Sequence, residues 1–204
     1  MPTWELIKRK SARKIYFNGD AMRKILLHIC CGPCSIYPVK KLRDEGYEVY
    51  GYFYNPNIHP YTEFARRLET LEQYAAEIDL PLIADRDYNL EDYLQRVVFR
   101  EGNRCRICYH MRLKQAASVA RKGKFDSFTT TLLVSPYQKH QVIAETGAAL
   151  GRENDIPFTY FDFREGYKEA TAISKERGMY RQQYCGCIFS EKDRYYRKKE
   201  GHKR

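Results

Sequence analysis

The chain has 204 residues, 43% hydrophobic and 30% charged, which suits one ordinary α/β domain and excludes collagen-like, low-complexity and wholly disordered chains. Lysine and arginine number 36 against 26 acidic residues, a formal charge of +10, which favours a polyanionic partner and puts nucleic acid first. No apolar run approaches the roughly 18–20 residues of a membrane span, and no apolar stretch follows the basic N-terminus as a secretory signal requires, so a cytoplasmic protein without a membrane partner is expected.

Residues 1–22 read as a basic N-terminal extension, with Lys8, Arg9, Lys10, Arg13 and Lys14 close together. An alternation of strands and helices then begins. Lys24–Ile29 reads as a buried strand, Cys34–Glu45 as a helix closed by Gly46, and Tyr47–Tyr54 as a second strand stopped at Asn55-Pro56-Asn57. Tyr61, Phe64, Ala65, Leu68, Leu71, Ala75 and Ile78 recur at helical spacing and predict an amphipathic helix over 61–79. Leu80–Ala84 reads as a third strand, Leu90–Phe99 as a short helix and Cys105–Lys122 as a longer one. Phe125–Val134, rich in β-branched and aromatic residues, reads as a fourth strand. A helix through Val142–Leu150 and a fifth strand at Pro157–Phe163 follow, then a helix, a Cys-containing loop and a basic tail over 185–204. The expectation is a single α/β domain over 1–204. It has a Rossmann-like parallel sheet of about five strands flanked by helices and a basic helical C-terminal segment.

Seven cysteines are clustered, odd in number and in an apparently reducing setting, which points to metal or redox chemistry over a disulfide framework. Cys30, Cys31 and Cys34 stand where the first strand meets its helix, where the helix N-terminus favours thiolate. Cys105 and Cys108 form a CxxC hook at a helix start, and Cys185 and Cys187 flank Gly186. One zinc ion takes four thiolates, so seven exceed a single closed site. A four-thiolate iron–sulfur cluster with three further thiols, for a second metal or a redox pair, fits the count better. The first cluster holds one glycine and no SGGxDS signature, which argues against nucleotide hydrolysis. A zinc-stabilised RNA-binding module without catalysis, and a metal-free thiol–disulfide oxidoreductase, remain as alternatives.

The motifs HICCGPCS, FYNPNIHP, CRICYHMRL, TTLLVSP (Thr130–Pro136) and YRQQYCGCIFS span residues 28–190. Together they resemble the epoxyqueuosine reductase QueH family. The resemblance implies a cobalamin-independent reductase acting on the anticodon loop of tRNA. It would convert epoxyqueuosine at the wobble position to queuosine by two-electron removal of the epoxide oxygen. It also implies a [4Fe–4S] cluster on Cys30, Cys31, Cys105 and Cys108. Cys34, Cys185 and Cys187 are left for a second iron or for a redox-active Cys185–Cys187 disulfide, with an unidentified electron donor. Proton-donor candidates are His28, His59, Asp162 and Tyr184; Asp162 is alternatively an oxygen ligand to iron, or simply the ion-pair partner of Arg164. RNA contacts are expected from the N-terminal segment, from Arg181, Arg194, Arg197, Lys198 and Lys199, and from Tyr180, Tyr184, Tyr195 and Tyr196.

Overall fold

A computed structural model describes residues 22–196. Four parallel strands, β1 (Arg23–His28), β2 (Tyr47–Phe53), β3 (Leu82–Ala84) and β4 (Ser127–Thr130), lie in the order β3-β2-β1-β4. Helix α1 (Gly32–Asp44) packs between α2 (Tyr61–Glu77) and α6 (Tyr167–Glu176). Helix α4 (Arg104–Lys122) packs against β1, β4 and α5 (His140–Glu153), and the short α3 (Leu90–Val97) leans on α4. The core is the run Ile25, Leu26 and Leu27 of β1, fully buried at the centre of the sheet, with Phe53, Leu71, Leu113, Ala117 and Phe128 around it. A strand buried on both faces must be apolar, and β1 is so over Ile25–Leu27, between the exposed Arg23 and Lys24 and the buried His28. Among the described residues no helix is long and apolar enough to cross a membrane.

The expected fifth strand is reduced to a single parallel bridge between Phe128 and Phe158. The segment lies beside β4, where a fifth strand would add, but Pro157 has no N–H for the ladder, and Asp162 caps a 3₁₀ turn over Phe163–Gly166. The sheet therefore has four strands. The fourth is shorter than expected because the Thr130 hydroxyl accepts from Leu132 N and turns Thr131–Val134 into a 3₁₀ turn. Helix α1 starts two residues earlier than expected, with Cys31 as its N-cap. Gly46, at φ +80°, stops it as foreseen. Past the cysteine loop the chain forms α7 (Ile188–Tyr195). The basic segment before Met22 and Arg197, Lys198 and Lys199 lie outside the described residues.

The sheet order places β1 next to both β2 and β4, so the chain leaves β1 in one direction and β4 in the other. A crevice opens at the carboxyl ends of such a strand pair, which is where α/β sheets hold their ligands. Cys30 follows β1 and Thr131 follows β4 at that point.

Candidate metal centre

The first group of thiols is built by the β1–α1 junction. Cys30 and Cys31 are buried, and Cys34 is in the first turn of α1. Gly32 is required here, because a Cβ would come within 2.9 Å of Met179 Cε and 3.2 Å of the Thr70 carbonyl on α2. The three sulfurs lie within 4.8 Å of one another. Cys30 and Cys31 are 3.8 Å apart, matching the ~3.8 Å edge of a tetrahedral thiolate shell with bonds of about 2.3 Å. Cys31 and Cys34 are at 2.7 Å and would have to part to share one ion. Thr131 Oγ1 accepts from Cys30 N at 3.2 Å and lies 3.5 Å from its sulfur, while Gln182 Nε2 donates to Cys34 Sγ at 3.2 Å. Hydrogen bonds from the neighbouring thiols, together with the Arg112 charge, hold Cys30 well below its ordinary pKa. Burial pushes Cys31 well up, and the hydrogen bond of Cys34 to the Cys30 sulfur, aided by burial, raises the Cys34 thiol. The three thiols share protons and hydrogen bonds among themselves, and an incoming soft cation would displace those protons.

The second group gathers along α4. Cys105 and Cys108 are three residues apart and share a face. Cys187 caps α7 with its sulfur, which accepts from Ser190 N at 3.4 Å. Cys185 accepts from Gln138 Nε2 at 3.4 Å. Burial raises the Cys105 thiol, and the charges of Cys185 and Cys187 raise it further. Cys108 is pushed up to about 12 by burial, opposed by Arg112. Tyr93 is fully buried in the same cluster as Cys108 and Cys187. All seven cysteines are free.

The Cys-Gly-Cys loop is carried by α2. Arg67 donates to the carbonyls of Tyr184 at 2.9 Å and Cys185 at 3.1 Å, and pairs with Glu63 at 2.7 Å. Tyr180 donates to the other Glu63 oxygen. His59 N donates to the Gly186 carbonyl at 2.9 Å, and the Tyr184 hydroxyl donates to the His59 carbonyl at 2.5 Å. Gly186 sits at φ +135°, and a Cβ there would come 3.1 Å from Ile58 and 3.3 Å from Arg67 Nη1. The FYNPNIHP loop is therefore a scaffold for the last two cysteines.

His28 closes β1 against Thr130, with Nδ1 and Oγ1 2.8 Å apart. Thr130 Oγ1 also accepts from Leu132 N, and His28 Nε2 lies 3.2 Å from the Tyr54 carbonyl and 3.4 Å from Arg112 Nε. Burial first and Arg112 second lower its pKa to about 3, so it is a neutral, hydrogen-bonded core residue. His59 is buried with Nε2 at 3.0 Å from the Pro56 carbonyl, and burial lowers its pKa. Asp162 is bound by Arg164 at 2.5–3.1 Å, which holds its carboxyl at about 2. That is the ion-pair alternative, and it leaves no proton on Asp162 to give near neutral pH.

The family resemblance implies a ligand set of Cys30, Cys31, Cys105 and Cys108. The structure joins the first two most tightly to Cys34, and groups the CxxC thiols with Cys185 and Cys187. Arg112 adjoins both groups: its Nη1 is 3.7 Å from Cys108 Sγ, and its charge acts on Cys30 and Cys185. Neither Arg112 nor the Glu63–Arg67 pair was singled out from sequence, although Arg112 follows Cys108 by one helical turn on the same face. Several buried polar atoms around the thiols have no hydrogen-bond partner, among them Arg112 Nη2, the Tyr93 hydroxyl and both Asn57 side-chain atoms. Soft thiol donors beside unsatisfied buried donors fit an anionic metal–sulfur group.

Two hollows adjoin these elements. A cavity of about 80 Å³ opens onto Cys34, with Tyr167, Arg181 and Gln182 in its wall. A groove of about 630 Å³ between α3 and α4 is lined by Arg96, Arg100, Arg106 and His110, on the side of α4 turned away from the cysteines.

Residues 25–193 match the family model described as Epoxyqueuosine reductase QueH. Over 172 residues the chain is 41% identical to the Epoxyqueuosine reductase QueH of Dehalococcoides mccartyi, covering 84% of this chain and 94% of that one. It is 34% identical to the protein of the same name from Thermotoga maritima, covering 89% and 100%. For the one from Haemophilus influenzae the figures are 35%, 85% and 74%.

Proposed function

The chain belongs to the epoxyqueuosine reductase QueH family, and from that premise we propose that it is a tRNA-modifying oxidoreductase. It converts epoxyqueuosine at the wobble position to queuosine without cobalamin. The observation that carries this reading is a pair of free-thiol groups, Cys30, Cys31 and Cys34 at the β1–α1 junction and Cys105, Cys108, Cys185 and Cys187 along α4, with Arg112 adjoining both.

Removing the epoxide oxygen breaks two C–O bonds, forms one C=C bond, consumes two electrons and two protons, and releases water. A [4Fe–4S] cluster on Cys30, Cys31, Cys105 and Cys108 would supply electrons one at a time. A second unit built from Cys34, Cys185 and Cys187 matches the two-electron demand, either as an iron site or as the Cys185–Cys187 pair. Oxidation of that pair to a disulfide yields two electrons and two protons, the balance the reaction needs, and an external donor then restores the dithiol. Cys185 is the exposed member, and Gln138 orients its sulfur. Arg181 and Gln182, in the wall of the small cavity beside Cys34, are polar contacts for the edge of the extruded nucleoside that reaches it. Phosphate contacts fall to the basic surface, which includes the α3–α4 groove.

The test is anaerobic purification with a visible spectrum and counts of iron, zinc and acid-labile sulfide. A brown protein with sulfide and four or five irons per chain supports the reading. A colourless protein with stoichiometric zinc would replace it with an RNA-binding module. Cys34→Ala, Cys185→Ala and Cys187→Ala should each keep the cluster and lose turnover on epoxyqueuosine-containing tRNA. Full turnover in all three would remove the second unit.

A further inference from the structure

Two arginines are almost wholly buried, Arg67 and Arg112, each 1% exposed. Arg67 has Glu63 as its counter-ion. Among the described residues no carboxylate pairs with Arg112. Its Nε is 3.4 Å from His28 Nε2, but that imidazole is neutral and brings no charge to balance the guanidinium. Nη2 has no partner. The guanidinium's other acceptor is Cys108 Sγ, 3.7 Å from Nη1, and the groups whose charge acts on it most are Cys108, Cys30 and Cys185.

An uncompensated guanidinium in a protein interior is costly, and arginine cannot escape by losing its proton. Among the described residues the groups placed to balance it are sulfurs of both thiol groups, which become anionic as thiolates when they bind a metal. We propose that Arg112 is the positioning cation of the metal–thiolate centre, set between Cys30 and Cys108 so that its charge favours the reduced, more negative form of the bound group. This rests on the iron–sulfur reading above. A fixed positive charge in a dry site stabilises added negative charge with little solvent screening, so removing it lowers the reduction potential. A merely structural role would alter stability and leave the potential alone.

The experiment compares anaerobically purified wild type, Arg112→Gln and Arg112→Lys by iron and sulfide content and by a dye-mediated redox titration followed in the visible spectrum. At the poise that half-reduces the wild-type centre, Arg112→Gln should show at least a tenfold lower ratio of reduced to oxidised centre, a shift of about 59 mV for one electron. Arg112→Lys should stay near wild type. If Arg112→Gln loses its metal while Arg112→Lys keeps metal and potential, the charge requirement stands. An Arg112→Gln protein with full metal and an unchanged potential overturns it. So does an Arg112→Lys protein that is folded by circular dichroism yet behaves like Arg112→Gln. A wild type without iron or sulfide defeats the iron–sulfur reading itself, and the inference with it.

Discussion

Arg67 Nη1 donates to the main-chain carbonyl of Cys185 at 3.1 Å, across 118 residues of sequence. The last two cysteines thus hang from α2 through a buried ion pair, while the first three are fixed by β1 and α1. The centre is assembled by the tertiary fold, and its two halves can be separated by single substitutions.

Arg67→Met should be the most damaging of these. It strands the Glu63 carboxylate in the interior, which costs about 3–5 kcal/mol, and releases the carbonyls of Tyr184 and Cys185. Urea denaturation should show that loss, and alkylation of Cys185 and Cys187 should quicken under native conditions. Adding Glu63→Gln should restore part of the stability, because the stranded charge is gone, without restoring the loop. Equal alkylation rates in wild type and Arg67→Met would mean that Arg67 does not hold the cysteine loop.

Gly186→Ala tests the same loop from its own side. The φ of +135° strains any residue with a side chain, and a methyl group there would press on Ile58 at 3.1 Å, Asn57 at 3.2 Å and Arg67 at 3.3 Å. Holding a residue with a side chain there costs on the order of 1–3 kcal/mol. The expected outcome is a protein that folds, keeps the thiols of β1 and α4, and shows a displaced Cys185–Cys187 pair as faster thiol labelling. Unaltered labelling with normal stability would place the loop's rigidity elsewhere.

Much of this arrangement is legible in the sequence. The apolar run of β1, the helical spacing of α2 and the Gly46 stop fix the element order, because each is a local pattern with one physical reading. The CCGPC cluster and the CxxC and CxC spacings together single out all seven thiols. What local patterns do not carry is pairing: Pro157–Phe163 reads as a strand by composition, yet only Phe158 finds a partner. The same limit hides Arg67 and Arg112. A charged residue on a helix reads as a solvated face unless its distant partners are known, and Tyr184, Cys185 and Cys30 lie far from either arginine in sequence. The Asp162–Arg164 pair shows the reverse, since a two-residue spacing is local enough to be foreseen.

His59 gives the chain a pH dependence of known sign. Burial disfavours its charged form, so its pKa in the folded protein lies below the ordinary 6.5. Between the two values the unfolded chain binds more protons than the folded one, and stability rises with pH there. The contribution is complete above about pH 6.5 and is lost as pH falls toward the folded value, at no more than about 1.4 kcal/mol per pH unit. Denaturant midpoints for wild type and His59→Gln, measured from pH 7.5 to 5, should diverge at the alkaline end and converge at the acid end. Parallel curves would show that His59 is not buried in its neutral form.

The α3–α4 groove provides the RNA test. Arg96 is paired with Asp92 at 2.8 Å, whereas Arg100 and Arg106 line the groove with no ion pair among the described residues. Phe99 beside them is 95% exposed at φ +62°, a placement burial does not explain and base stacking would. If phosphates lie here, Arg100→Ala with Arg106→Ala should weaken tRNA binding. It should also flatten the plot of log affinity against log salt by roughly 1–2 units, since each contact contributes about 0.7–0.9. Phe99→Ala should weaken binding by about 1–3 kcal/mol with no change in that slope, because stacking releases no counter-ions. Turnover at saturating tRNA should be unaffected in both, the groove lying on the side of α4 away from the thiols. A wild-type salt slope in the double variant would move the phosphate track off this surface.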